Sequence, residues 1–152
     1  MDLKQAARER FGTVESELRE ISHWMYDNPE IAFEERNTSA RLVEFLRSNG
    51  FEVDYPSFEL DTAFAARAGT KGPEVVICAE YDALPEVGHA CGHNIIAAAA
   101  LGAGVALLEA ADELGFRVRV QGTPAEESYG CLLYTSPSPR DQREHLVCRL
   151  LL

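Results

Sequence analysis

Hydrophobic residues recur at steps of three and four along the first 25 positions, which is the spacing of one face of an amphipathic helix. This face consists of Leu3, Ala7, Phe11, Val14, Leu18, Ile21 and Met25. Asn28 and Pro29 end the predicted helix, because proline restricts the residue before it and has no amide hydrogen. A second helix is predicted to begin near Thr38 and to end at Gly50. Its inner face carries Leu42, Val43, Phe45 and Leu46.

The remaining apolar segments predict strands and one further helix. Residues 51–55 and 58–68 are predicted to be short strands, and 75–79 is a continuous β-type apolar run, typical of a strand that is covered on both faces. A long alanine-rich helix is predicted at 95–114 and another strand at 116–121. A strand, helix and strand in succession imply parallel pairing. The pattern therefore predicts an α/β fold, a three-layer sandwich with a mainly parallel central sheet.

The composition changes after Gly130. Residues 1–130 hold 11 Lys/Arg and 23 Asp/Glu, whereas residues 131–152 hold 3 Lys/Arg and 2 Asp/Glu and contain alternating Ser and Pro at 136–139. That alternation cannot enter a helix or a central strand. We therefore expect residues 1–130 to form one domain, and 131–152 to be an unrelated tail, either a translated artefact or a disordered segment.

The charge balance bears on partners and location. The chain has a net charge of -11, which disfavours binding to nucleic acid, where Lys and Arg must neutralise phosphates. Acidity also disfavours docking on anionic membranes, and the longest apolar run, 95–108, is short for a membrane span. The first ten residues have no apolar core of a signal peptide. We expect a cytoplasmic protein without a nucleic-acid or membrane partner.

A cluster of metal-binding residue types follows the 75–79 strand. His89, Cys91 and His93 lie within five residues, and Cys and His are the side chains that bind borderline transition metals. A structural zinc site would require a fourth close ligand, so these residues favour a different kind of metal site. The alternative is a coincidental polar loop before a helix.

A second polar cluster, Glu126 and Glu127, follows the 116–121 strand. The carboxyl ends of parallel strands meet at one edge of the sheet, so both clusters are expected to share a site there. One carboxylate of the pair can bind a metal while the other transfers protons. Two adjacent acids on a surface loop are usually only solvated, and Asp82 is open to the same interpretation as an ordinary loop acid.

Four motifs in one order carry a family resemblance. They are Pro-Glu-Ile-Ala-Phe-Glu-Glu at 29–35, Tyr-Asp-Ala-Leu-Pro at 81–85, Gly-His-Ala-Cys-Gly-His-Asn at 88–94 and Thr-Pro-Ala-Glu-Glu at 123–127. Together they resemble metallopeptidase family twenty, in the subgroup of auxin-conjugate amidohydrolases, p-aminobenzoyl-glutamate hydrolases and Xaa-Arg or β-alanyl-lysine dipeptidases. The resemblance implies that residues 1–130 are the N-terminal part of the catalytic domain of a two-metal exopeptidase. In the family a smaller dimerisation domain follows, which implies a homodimer for the intact protein.

The resemblance also implies roles for individual residues. Cys91, His93 and Glu127 match metal ligands, Glu126 matches the general base, and Asp82 matches an acid that orients the metal site. The implied cofactors are two divalent ions, Zn²⁺ or Mn²⁺.

The chain departs from the family pattern in three respects. The family's two further histidine ligands are absent, because His145 is the only later histidine and its context does not match. Asn94 stands where many members have Asp, and Glu80 stands where more distant members have a ligand histidine.

The function that the resemblance implies is metal-dependent hydrolysis of an amide bond in an N-acyl amino acid or dipeptide. We expect the 152-residue chain itself to be inactive, because half of the site is missing. The alternative is a noncatalytic metal-binding or interaction domain, since three protein ligands hold two ions poorly. A purely structural α/β domain is a third possibility.

Overall fold

The computed structural model describes residues 2–129, which contain five helices and four strands. The helices are α1 (Leu3–Gly12), α2 (Glu15–Asp27), α3 (Arg36–Ser48), α4 (His93–Leu114) and α5 (Glu126–Tyr129). The strands are β1 (Glu52–Asp54), β2 (Phe64–Ala68), β3 (Glu74–Glu80) and β4 (Arg117–Thr123). The predicted tail at 131–152, with His145, lies outside the described residues, and the domain boundary at residue 130 stays a prediction.

The first predicted helix is in fact two helices. Asp2 caps α1, and its Oδ1 accepts a hydrogen bond from the Lys4 amide at 3.0 Å. Thr13 and Val14 separate α1 from α2, although the apolar spacing continues across them. Within α2 the predicted inner face is buried, whereas no residue of α1 is buried. Both helices contact α4.

The sheet is mixed, with the strand order β1-β2-β4-β3. The β3–β4 pair is parallel, as the strand–helix–strand pattern predicts, but β1–β2 and β2–β4 are antiparallel. A mainly parallel sheet is therefore not confirmed among residues 2–129. The physical reason is that β1 and β2 are joined without a crossover helix, and such neighbours pair antiparallel. The predicted strand at 58–68 is also shorter, because Phe58 and Glu59 adopt left-handed turn conformations.

Helix α4 lies at the centre of the fold. A Cβ added at Gly104 would lie 2.4 Å from Cγ2 of Val120, so this turn of the helix rests directly on β4. A Cβ added at Gly102 would lie 2.7 Å from the Phe11 ring, so the other side of α4 meets α1 just as closely. The small residues of α4 thus allow close packing on two sides. Gly115, with a φ of 71°, ends the helix in the left-handed conformation.

Within the described residues, α4 is the one helix that is long and apolar enough to cross a membrane, by length and composition only. Its 22 residues exceed the apolar run at 95–108. Half of its most apolar stretch is buried in the fold, and the core helix of a domain meets the same criterion. The helix is therefore weak evidence for a membrane, and the expected absence of a membrane partner stays a prediction.

Candidate metal centre

The two polar clusters meet at one edge of the sheet. Glu80, the last residue of β3, is in register with Thr123, the last residue of β4. The chain beyond β3 leads to Asp82, and the chain beyond β4 leads to Glu126 and Glu127. The shared edge that the sequence predicts is therefore present.

His93 stands at the centre of this edge as the first residue of α4. Its side chain is 3% exposed, and its Nε2 faces three carboxylates. The distances from Nε2 are 3.4 Å to Oε2 of Glu80, 3.8 Å to Oε2 of Glu126 and 3.7 Å to Oε1 of Glu127. Gly92, with a φ of 83°, makes the sharp turn that brings the chain into the helix here.

Asp82 holds the other side of the imidazole. The Nδ1 of His93 lies 2.9 Å from the backbone oxygen of Asp82 and 3.0 Å from its Oδ1. The second carboxylate oxygen, Oδ2, accepts a hydrogen bond from the Glu127 amide at 3.2 Å. Burial disfavours the charged carboxylate, but the hydrogen bonds from His93 and Glu127 outweigh it and lower the pKa of Asp82. Asp82 thus fixes the ring of His93 and the backbone at Glu127 together, as the partner of a metal-binding histidine commonly does.

Two groups of side chains have the spacing of a metal site. Ligand atoms of Cys91, His93 and Glu127 lie within 4.8 Å of one another, and so do those of Glu80, His93 and Glu126. A thiol, an imidazole and a carboxylate make a donor set that suits Zn²⁺ and similar ions. Because Nδ1 of His93 is engaged by Asp82, both groups depend on the single lone pair of Nε2. They are therefore alternative positions for one ion on His93, and a second ion needs further donors.

Two of the candidate ligands, His93 and Cys91, have raised pKa values, so a metal ion would have to displace their protons. The hydrogen bond with Asp82, opposed by burial, raises the pKa of His93 to about 9. Burial and the neighbouring Glu127 raise the pKa of the Cys91 thiol. Since metal ligands must be deprotonated, metal affinity at this site is expected to weaken as the pH falls below about 9.

Glu126 has the electrostatic surroundings of a base. Burial raises its pKa, and the negative charges of Glu80 and Glu127 raise it further. A carboxylate with a raised pKa holds a transferred proton more readily near neutral pH. The structure thus brings all five predicted site residues into one cluster, namely Asp82, Cys91, His93, Glu126 and Glu127.

Residue types and spacing in the sequence did not single out Glu80 and Glu35. Glu80 ends β3, a partly buried strand whose last residue reaches the site, and that position alone was a usable signal. Glu35 is completely buried and bonded to Ala125, the residue before Glu126. His89 is buried too, but it belongs to neither three-residue group, and its ring nitrogens have no hydrogen-bond partner within residues 2–129.

The chain resembles known hydrolases in sequence. It is 39% identical to the Xaa-Arg dipeptidase of Mus musculus over 84% of this chain and 33% of that protein. It is 31% identical to one of the subunits of the p-aminobenzoyl-glutamate hydrolase of Escherichia coli (strain K12), over 83% of this chain and 29% of that protein. The chain thus spans about a third of the length of these curated relatives. No model of a known protein family matches it.

The fold resembles solved structures of the same kind. A dinuclear metal binding peptidase of the M20 family from Bacillus subtilis superposes with a TM-score of 0.67 at 28% identity, covering 76% of this chain and 37% of that one. An aminobenzoyl-glutamate utilization protein from Klebsiella pneumoniae superposes with a TM-score of 0.61 at 17% identity, covering 84% and 40%, which shows the shared fold alone. The resemblance inferred from the four motifs is therefore confirmed: the chain is similar to a dinuclear metal binding peptidase of the M20 family and to the dipeptidase and the hydrolase named above.

Proposed function

We propose that this chain is part of a metal-dependent amidohydrolase that cleaves an amide bond in an N-acyl amino acid or a dipeptide. The observation that carries the proposal is the meeting of a thiol, a buried imidazole and two carboxylates at one edge of the sheet. The names of the relatives, a dipeptidase and an aminobenzoyl-glutamate hydrolase, support this substrate class. The relatives are about three times as long, so we assign the activity to a longer protein.

The donor set fits a divalent ion, with Cys91, His93 and Glu127 as ligands. A bound ion would supply an acidified water and a polarised amide carbonyl. Asp82 keeps Nε2 of His93 directed at the site by engaging Nδ1. The family resemblance supports Zn²⁺ or Mn²⁺, the thiol of Cys91 favours Zn²⁺, and a second ion would depend on further donors.

Glu126 would act as the general base. Its carboxylate takes a proton from the attacking water, whose oxygen forms a bond to the carbonyl carbon. When the C–N bond breaks, Glu126 returns that proton to the leaving amine. The raised pKa of Glu126 suits this exchange, because the group has to hold and then release a proton near neutral pH.

Several finer features belong to the same proposal. We expect the intact protein to complete a three-layer sandwich around the sheet, to form a homodimer and to be cytoplasmic. What supports the sandwich and the dimer is the family resemblance, and what supports the location is the acidic composition, with a net charge of -11.

The test pairs metal binding with turnover. Glu126→Gln should retain Zn²⁺ and Mn²⁺ binding by calorimetry and lose at least about 100-fold in the hydrolysis of an N-acetyl amino acid or dipeptide by the longer protein. Glu113→Gln is the matched control, since Glu113 is an exposed acid on α4, and it should change neither. Full activity of Glu126→Gln would remove Glu126 from the mechanism, and activity that persists with a strong chelator would exclude a metal enzyme.

A noncatalytic metal-binding domain is the second candidate, and one observation favours it. Both possible ligand groups share His93, so the two groups together provide one imidazole and hold one ion. Binding of one ion per chain without turnover by the longer protein would support this candidate. The absence of any metal binding would leave a structural α/β domain.

A further inference from the structure

Glu35 is a fully buried acid in the loop before α3. Its Oε1 accepts a hydrogen bond from the Ala125 amide at 2.9 Å, and its Oε2 accepts one from the Thr62 hydroxyl at 3.0 Å. A carboxylate is costly to bury unless donors are directed at it, and both oxygens of Glu35 have such a donor. The two donors lie 90 and 27 residues away in sequence, so Glu35 ties distant segments together.

The hydrogen-bonded connection extends to the segment after β3 that carries Asp82. The hydroxyl of Tyr81 donates to the backbone oxygen of Thr62 at 2.7 Å, and Tyr81 is completely buried. Thr62 is therefore bonded on one side to Glu35 and on the other to the residue directly before Asp82. Two segments that reach the metal centre, one at Tyr81 and one at Ala125, are thus connected through Glu35 and Thr62.

Ala125 is the residue whose backbone conformation depends most on the hydrogen bond to Glu35. Its φ is 56°, a left-handed conformation that is unfavourable for a residue with a Cβ. Such a conformation persists only where the surrounding contacts hold it. The two residues that follow are Glu126 and Glu127, so the turn at Ala125 sets the direction in which both carboxylates leave the end of β4.

We propose that Glu35 is a positioning residue for Glu126 and Glu127, which it controls by holding the Ala125 amide in the left-handed turn. This inference rests on the proposed function, because it assigns Glu35 to the same metal centre. The property that matters is the reach of the side chain, which brings one end group to the Ala125 amide and the other to the Thr62 hydroxyl. The competing explanation is that Glu35 stabilises the fold without affecting the geometry of the acid pair.

The experiment uses the 152-residue chain and separates the effect of the length of the Glu35 side chain from the effect of its charge. Glu35→Asp keeps the charge and shortens the side chain by one methylene, whereas Glu35→Gln keeps the length and removes the charge. Glu34→Asp is the matched control, because Glu34 is the exposed neighbour of Glu35 and undergoes the same change. Two quantities are measured: Co²⁺ affinity from the cobalt–thiolate absorption of Cys91, and hydrogen exchange of the Ala125 amide by NMR without metal.

We expect Glu35→Asp to bind Co²⁺ about 10- to 100-fold more weakly, as for other residues that orient metal ligands. The Ala125 amide should exchange faster in the same variant. Glu35→Gln should keep both properties close to those of the parent chain, because Gln reaches Ala125 with a carbonyl oxygen and offers an amide to the Thr62 hydroxyl. Glu34→Asp should change neither.

Three results would overturn the inference: unchanged Ala125 exchange in Glu35→Asp, faster exchange with unchanged Co²⁺ affinity, or equal loss of affinity in the Asp and Gln variants. If Glu35→Asp does not fold, Thr62→Val removes one anchor of Glu35 and should show a smaller change in both quantities; no change would again overturn the inference. If the parent chain binds no Co²⁺, the proposed metal centre fails instead, and the inference with it.

Discussion

Replacing Gly122 by alanine should destabilise the fold through a single steric conflict. Gly122 lies in β4 directly opposite Phe64 of β2. A Cβ at residue 122 would lie 2.2 Å from Cε1 and 2.3 Å from Cδ1 of that ring. Ordinary contact begins at 3.4 Å, so the ring has to retreat by about 1.2 Å. Phe64 is completely buried and stacked on Tyr81 with the ring centroids 5.9 Å apart, which leaves it little room to move.

The expected cost of Gly122→Ala is about 1–3 kcal/mol in the free energy of unfolding, the usual range for overpacking a dense core. Urea unfolding followed by circular dichroism measures it. Gly12→Ala is the control, because a Cβ at Gly12 meets nothing within 4 Å. As an exposed helical position, it should gain about 0.5–1 kcal/mol instead.

A double-mutant cycle identifies the cause. Phe64→Ala alone should cost about 3–5 kcal/mol, since it leaves a cavity in the core. In that background the methyl group of Gly122→Ala enters the vacated space, so the second change should cost less than it does alone. We expect an interaction energy of about 0.5–3 kcal/mol between the two sites. Strictly additive effects would refute the reasoning, because the conflict would then not involve the Phe64 ring.

Three further changes test the centre and its surroundings. Burial raises the pKa of Glu35 above its usual 4.5, so the folded state favours the protonated acid. The contribution of Glu35 to the free energy of unfolding is therefore fully present below pH 4.5 and is lost as the pH rises through the folded-state pKa. The stability of Glu35→Gln relative to the parent chain should therefore increase with pH above about 4.5 in urea unfolding, and a constant difference would contradict this. Asp82→Asn removes the charge beside Nδ1 of His93 and should weaken Zn²⁺ binding by about 10- to 100-fold in calorimetry, so unchanged affinity would rule out the orienting role. Cys91→Ser replaces a soft ligand by a hard one and should weaken Zn²⁺ binding more than Mn²⁺ binding; equal losses would show that Cys91 is not a ligand.

Local patterns in the sequence were sufficient for the part of the fold that forms the site. The apolar run at 75–79 and the helix after it predict a parallel pair, because a crossover helix permits few other arrangements. The antiparallel pairing of β2 with β4 could not be foreseen in this way, since it joins strands about fifty residues apart. The division of the first helix at Thr13 was also hidden, because the apolar spacing runs through it without interruption.

The same distinction between local patterns and long-range contacts applies to the residues of the candidate site. Cys91 and His93 are close in sequence and of metal-binding type, so their pattern alone indicates chemistry. Glu35 gives no such signal, because the adjacent Glu34 has the same side chain in the same loop and is exposed. Only the long-range contact with Ala125 distinguishes the two acids.

The ligand atoms at the sheet edge come from two places in one strand–helix–strand unit, with Cys91 between β3 and α4 and Glu127 after β4. An ion that bridges them closes this loop of chain, and it can do so only when α4 and both strands are folded. Metal concentration therefore acts on the folding equilibrium itself: an ion at 100 times its dissociation constant adds about 2.7 kcal/mol to the stability of the folded chain. For a domain whose total stability is about 5–15 kcal/mol, bound metal would then supply a large share of the free energy that keeps the chain folded. It would lower the population of unfolded chain that is open to degradation.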